Sequence, residues 1–233
     1  MNIILFEKGV RHFEVKDERT LHLLKVLHAS VGTEFISGEI NGEKGKSVIT
    51  STSDGISFDF FPTCDGKELY PLTVIVALVR PICMKRILRE LVSMGVGHII
   101  LSSSELGEKS YKDATLYKDG SYKSIMLSGA MQGGFTGVPT ITFTSSVSDA
   151  IKESRGVCLL PDNVIGTKSF SSYNLEGKEV TLAIGSERGW SDKERSLFLN
   201  SGFSPVLMGK HILRTETASV AGCALALEAM GYI

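Results

Sequence analysis

The run Leu72–Val79, Leu-Thr-Val-Ile-Val-Ala-Leu-Val, constrains this chain more than any other segment. A strand with one wet face alternates apolar and polar residues, whereas an unbroken β-branched run needs cover on both faces, as in a parallel sheet between helices. Pro81 follows at a position suited to the first turn of a helix. In that helix Met84, Ile87, Leu88, Leu91 and Val92 form one apolar stripe, Lys85, Arg86 and Arg89 face away, and Gly95 ends it. His98–Leu101, Val157–Leu160 and Val180–Ile184 read as further strands, with helices at Val147–Glu153 and Asp192–Asn200 between them. This alternation predicts an α/β domain built on a parallel sheet.

The first seventy residues have another texture. Short β-like runs (Ile3–Phe6, Glu34–Ile40, Ser47–Thr50, Ile56–Phe61) are separated by Asn41-Gly42, Asp54-Gly55 and Asp65-Gly66, all turn signals. Strands at that spacing predict a small β-barrel. One helical segment interrupts them, with Leu21, Leu24, Leu27 and His28 at helical spacing and Gly32 as its end. The polar stretch Asp65–Pro71 reads as a linker, which gives two domains, at 1–70 and 72–233.

At 233 residues and 42% hydrophobic the chain has ample material for a buried core. A net charge of −1 gives no support to a nucleic-acid partner, but its distribution does: residues 80–123 carry eight Lys/Arg against five Asp/Glu. Any RNA footprint is therefore expected in the middle of the chain. Cys64, Cys83, Cys158 and Cys223 are far apart, with no C-x-x-C pair and no histidine at ligand spacing, so no metal is expected. Glu7, Lys8 and Arg11 interrupt the only candidate leader, and reduced cysteines in a cytoplasm are the simplest reading. The apolar stretch Ala218–Met230 is too short for the ~20 residues that cross a bilayer and is expected to be a buried helix.

Chemistry concentrates in the last fifty residues. Gly185-Ser186-Glu187-Arg188-Gly189-Trp190-Ser191 and Gly209-Lys210-His211-Ile212-Leu213-Arg214-Thr215-Glu216-Thr217-Ala218 each follow a β-rich run, Val180–Ile184 and Pro205–Met208, and lead into a helical pattern. Such strand-to-helix turns are where α/β proteins place ligands. Glycine lets backbone approach a small molecule closely, and the following helix offers free N–H groups to an anion. Glu187 is either a site carboxylate or a first-turn acid favoured by the helix dipole. Arg214 has a permanent charge for a phosphate, a carboxylate or a developing anion, its ordinary alternative being an ion pair with Glu216 or Glu187. Thr215 reads as the N-cap of the last helix. Core burial is the default for Ile212 and Leu213, and packing for Trp190.

The two segments, in this order and this near the C-terminus, resemble the SPOUT methyltransferases. Within them the chain is similar to the 16S ribosomal RNA (uracil-1498-N3)-methyltransferases, whose loops read Gly-Pro-Glu-Gly-Gly and Leu-Gly-x-x-Ile-Leu-Arg-Thr-Glu-Thr-Ala. The second loop is nearly intact from Gly209 to Ala218, while in the first Ser186 replaces proline and Arg188 a glycine, leaving Gly185, Glu187 and Gly189 in register. The N-terminal region likewise resembles that family's PUA-like domain: His22, Val26 and Leu27 fit its helix, but His28 stands for an arginine. Gly129–Phe135 resembles a further segment in which Met131 replaces an acid and Phe135 an arginine; its Gly133-Gly134 pair reads as a flexible turn.

The resemblance implies an α/β domain with a trefoil knot, preceded by the PUA-like barrel. It implies S-adenosylmethionine as cofactor, held by Leu160, Gly185, Ser186, Glu187, Gly189, Met208, Gly209, Ile212, Leu213, Arg214 and Thr217. Arg214 and Glu187 are the implied catalytic residues, N3 of a uridine in 16S rRNA of the small ribosomal subunit the methyl acceptor, and a homodimer the working form. Two alternatives stay open at this stage: a methyltransferase acting on another RNA position or a ribose 2′-OH, and a non-catalytic RNA-binding copy, which the altered first loop suggests.

Overall fold

A computed structural model describes residues 2–233. The chain divides into two compact units, one running to Glu68 and including Ala130–Val138, the other comprising Leu69–Gly129 and Pro139–Ile233.

The first unit holds strands β1 (Ile4–Phe6), β2 (His12–Glu14), β3 (Glu34–Glu39), β4 (Glu43–Ser51) and β5 (Gly55–Asp65), in spatial order β1-β3-β4-β5-β2. β1 runs parallel to β3 and the other pairs are antiparallel. One face buries an aromatic cluster: the Phe58 ring lies 4.8 Å from Phe13 and 5.1 Å from Phe6, in tilted contacts that suit aromatic quadrupoles. The Asn41-Gly42 signal marks the β3–β4 hairpin, with Asn41 at φ 57°, a conformation asparagine tolerates.

The stretch from Leu21 to His28 departs from the expected regular helix. Asp17 caps a single α-turn, Glu18–Leu21, after which the chain widens into a π-turn, His22–Val26. The wider turn rotates the face that points inward, so Leu23 is fully buried while Leu21 and Leu27 are exposed. The end comes at His28, φ 50°, before Gly32.

The segment Ala130–Val138 belongs to this unit, an attachment with no counterpart in the local sequence pattern. Thr136 donates from its N–H to the Gly66 carbonyl (2.7 Å) and from its hydroxyl to the Gly42 carbonyl (2.6 Å), and Val138 N–H reaches Asn41 Oδ1 at 2.8 Å. Gly133-Gly134 is therefore no flexible turn: it ends a helix, Tyr122–Gly133, with Gly134 at φ 83° and Phe135 buried behind it. Gly66 is tied down by the same bonds, so the start of the expected linker is part of the fold.

The second unit carries β6 (Tyr70–Ala77), β7 (Val96–Ser102), β8 (Thr140–Thr144), β9 (Val157–Pro161), β10 (Val180–Ile184) and β11 (Ser204–Val206) in one sheet, order β11-β9-β10-β6-β7-β8, all parallel. The apolar run that begins at Leu72 forms a central strand and is buried through Val79. Alternation along the strands assigns the two faces. Ile75, Ala77, Ile100 and Ala183 meet Trp190, Phe198 and the helix Val147–Lys152, whereas Leu182 and Ile184 lie against Gly222 of the last helix, Thr215–Ala229. Gly129 permits a second close approach, since a Cβ there would sit 2.6 Å from the Arg89 carbonyl of helix Pro81–Ser93. β2, β8 and helix Tyr122–Gly133 had no expected counterpart. Among the described residues no helix is long and apolar enough to cross a membrane.

Candidate functional site

Parallel strands share one C-terminal edge, and in this sheet three loops leaving that edge close a cleft of about 300 Å³. They follow β9, β10 and β11.

The loop after β10 is a tight turn. Gly189 N–H donates to the Ser186 carbonyl at 2.9 Å, and the Ser186 hydroxyl donates to the Gly189 carbonyl at 3.1 Å. Serine thus closes this turn by hydrogen bonding, at the position where the resembling motif has proline. Gly185 is required by packing, because a Cβ would lie 2.9 Å from the Gly189 backbone, and Gly189 by its φ of 71°. Ser191 then starts helix Asp192–Asn200 with a capping box: its hydroxyl accepts from Glu194 N–H, and the Glu194 carboxylate accepts from Ser191 N–H at 2.8 Å.

The loop after β11 has no regular structure until Thr215. Gly209 sits at φ 137°. Ile212 is 82% exposed, so core burial does not explain it, and Leu213 is only half buried. Arg214, with extended backbone (φ −65°, ψ 153°), is the N-cap of the last helix, and Thr215 is its buried first residue rather than the cap.

The loop after β9 was only faintly legible. Asp162, nearly buried, accepts from the N–H groups of Val164 (2.7 Å) and Ile165 (3.1 Å), and its other oxygen accepts from Arg195 Nε at 2.9 Å. Arg195 also donates to Asp192, so one guanidinium ties the β9 loop to the helix that follows the β10 loop. Sequence reasoning missed both Asp162 and Arg195. A Pro-Asp-Asn turn ending a buried strand was the available signal for the first.

Of the expected site residues, Gly185, Ser186, Glu187, Gly189, Met208, Gly209, Ile212 and Leu213 all line this cleft. Leu160 does not: it is fully buried in the core, and its neighbours Pro161 and Asp162 take the cleft position instead. Arg214 and Thr217 are exposed at the start of the last helix, where Thr215 and Ala218, three apart on one helix face, line the cleft in their place. Trp190 packs as expected and also reaches the cleft. It packs on Phe198 (centroids 4.9 Å apart) and walls the cleft, and its buried Nε1 has no hydrogen-bond partner among the described residues.

Around the rim the charged groups are organised. The Glu187 carboxylate accepts from Arg80 N–H at 3.2 Å. Glu216 is held below the usual carboxylate range by its own backbone N–H, then by the Cys83 thiol, with Arg214 and Arg86 nearby adding to the effect. Burial pushes the Cys83 thiol up, as does its bond to Glu216. The salt bridges among the described residues leave Arg214 free, so neither Glu216 nor Glu187 occupies its guanidinium. A cation without a partner beside a nucleoside-sized cleft is available to a ligand.

Residues 67–227 match the RNA methyltransferase domain family. The chain is 36% identical to the ribosomal RNA small subunit methyltransferase E of Treponema pallidum, over 97% of this chain and 91% of that protein. It is 30% identical to the ribosomal RNA small subunit methyltransferase E 1 of Borreliella burgdorferi, over 95% of each. Its fold matches the crystal structure of a ribosomal RNA small subunit methyltransferase E from Neisseria gonorrhoeae bound to S-adenosyl methionine, with a TM-score of 0.78 and 21% identity over 98% of this chain and 97% of that one. With a family match over more than half its length and full-length relatives at 30% identity or more, this chain is an RNA methyltransferase and belongs to the ribosomal RNA small subunit methyltransferase E family.

Proposed function

We propose that this protein methylates 16S rRNA of the small ribosomal subunit at N3 of a uridine, with S-adenosylmethionine as methyl donor. One observation carries the reading: three loops from neighbouring strand ends close a single cleft that joins an apolar wall (Ile184, Trp190, Ile212) to backbone polar groups, the lining a nucleoside needs. The cofactor supplies an electrophilic methyl group for in-line displacement, so the protein has mainly to align and enclose. Leu207–Leu213 and the Gly185–Gly189 turn are the proposed holding loops, with Met208 and Gly209 approaching closely.

Uridine N3 carries a proton at neutral pH, and the remaining task is to remove it and stabilise the anion left behind. The free guanidinium of Arg214 is the proposed stabiliser and the exposed carboxylate of Glu187 the proposed proton acceptor. Thr217 and Leu160 are better read as supports of the site than as contacts.

The wider architecture follows the same reading. The first unit is the proposed PUA-like barrel that grips RNA and the second the knotted SPOUT domain, the main segment of the first ending at Glu68. A second copy is proposed to cover the half-exposed side of the last helix, where Val220, Ala221, Ala224 and Leu225 lie together. The proposed place of action is the cytoplasm, with the ribosomal substrate. Calorimetry with S-adenosylmethionine, followed by mass spectrometry of small-subunit RNA incubated with enzyme and donor, tests the reading. Binding together with N3-methyluridine supports it; a ribose or another base carrying the methyl would overturn the acceptor assignment.

A further inference from the structure

A second cleft, of about 510 Å³, opens on the same edge of the sheet, at the ends of β7 and β8. It is larger than the cleft already described and contains none of the expected site residues. Serines 103, 104, 145 and 146 supply hydroxyls, and Lys109 and Lys112 supply charge. Three acids share its wall, and each accepts a hydrogen bond from a neighbour. Glu194 accepts from the N–H groups of Ser191 and Glu105, Glu105 accepts from the Ser191 hydroxyl at 2.6 Å, and Glu108 accepts from Ser110. Among the described residues neither lysine forms a salt bridge.

One cation stands between the two clefts. Arg80, exposed at the end of the loop after β6, donates its backbone N–H to Glu187, and the neighbouring Tyr111 hydroxyl, then the Glu187 carboxylate, hold its guanidinium above its ordinary value. Tyr111 lies between Lys109 and Lys112 in sequence, in one short 3₁₀ segment, Lys109–Asp113. Arg80 therefore stands between Glu187 of the first cleft and the segment that carries the two lysines. Consecutive phosphates of an RNA strand are the chemistry that such a spaced, unpaired row of cations accepts, and neighbouring hydroxyls suit ribose and phosphate oxygens.

We infer that Arg80, Lys109 and Lys112 form a phosphate track that holds the RNA strand flanking the methylated nucleotide, with a neighbouring nucleotide lodged in the second cleft. The inference rests on the RNA-methylating function proposed above. It locates the strand on the second unit, along the C-terminal edge of the sheet, and assigns a binding role to three residues outside the cofactor loops.

The test is methyl transfer to undermethylated small ribosomal subunits, measured over a range of salt concentrations. Lys109→Ala/Lys112→Ala is expected to raise KM for the subunits about tenfold. The same variant is expected to lower the slope of log(kcat/KM) against log salt by roughly 1.4, since each single-strand phosphate that goes unneutralised removes about 0.7. Cofactor affinity by calorimetry is expected to stay at the wild-type value, and Lys109→Arg/Lys112→Arg to restore the slope. Because both lysines are exposed, misfolding does not confuse the result. An unchanged KM and slope in the double alanine variant, with an active wild type, would overturn the track and leave the proposed function standing. A wild type that binds donor but transfers nothing to the subunits removes the substrate reading and the track together.

Discussion

The carboxylate of Glu187 accepts a hydrogen bond from the backbone N–H of Arg80 at 3.2 Å. This bond joins residues 107 positions apart and fixes the β10 loop against the start of helix Pro81–Ser93, whose N-cap has no side-chain partner of its own. Glu187 thus braces the loop as well as standing at the cleft, and the two roles separate by substitution. Glu187→Gln keeps an acceptor for Arg80 but cannot take a proton. Thermal stability is expected to hold while kcat falls by about 10²; normal turnover would leave Glu187 as a brace alone.

Arg214 carries an unpaired charge and is exposed, so its removal leaves the core untouched. Arg214→Ala is expected to reduce kcat by at least about 10² with Tm unchanged, as measured by single-turnover transfer and thermal unfolding. Near-normal turnover would remove Arg214 from the catalytic machinery.

Two glycines in the cofactor loops fail for different reasons when substituted. At Gly185 even a methyl group meets the Gly189 backbone, so Gly185→Ala is expected to open the turn, lowering both donor affinity and stability. At Gly209 a Cβ meets nothing within 4 Å, but φ is 137°. Gly209→Val therefore strains the loop and places a branched side chain at the cleft. Donor affinity measured by calorimetry is expected to fall in both, and wild-type affinity in either variant would mean that its loop does not hold the donor.

Asp162 and Arg195 form a nearly buried ion pair that links two of the three site loops. Without Asp162 the part-buried Arg195 keeps only exposed Asp192, and the Val164 and Ile165 N–H groups lose their acceptor, so Asp162→Ala is expected to cost about 3 kcal/mol. For a protein of this size that is a Tm decrease of roughly 6–12 °C by calorimetry. A decrease under one or two degrees would show the pair to be a bystander.

His98 on β7 is held below its ordinary value of 6.5, first by burial and then by the charge of Arg155. The unfolded chain therefore binds the proton more readily than the folded one. The contribution of neutral His98 to stability is present above pH 6.5 and is lost as pH falls through the lower folded value. Tm is expected to decline between about pH 7.5 and pH 5.5, and less steeply in His98→Gln. Identical slopes in the two proteins would assign the decline to other groups.

Patterning along the chain was enough for the central strands of the sheet, though not for its edge strand β8. Leu72–Val79, Val157–Leu160 and Val180–Ile184 have the unbroken apolar character of strands covered on both faces, and Ser191 with Glu194 wrote a helix start into four residues. The glycine-led loops were legible because close approach and positive φ restrict residue type at single positions. Other features depended on partners remote in sequence. The π-turn at His22–Val26 put Leu23 in the core in place of Leu21 and Leu27, with Leu24 still partly packed, since the cluster around Phe13 and Phe58 sets the face. The assignment of Ala130–Val138 to the first unit rests on bonds from Thr136 and Val138 to Gly42, Gly66 and Asn41, which no local pattern contains. Asp162 became a site residue only because Arg195, thirty-three positions later, returns beside it. Local sequence determines which segments become strands, caps and turns, because those choices depend on near neighbours; which charges meet at the cleft is decided by the order of strands in the sheet.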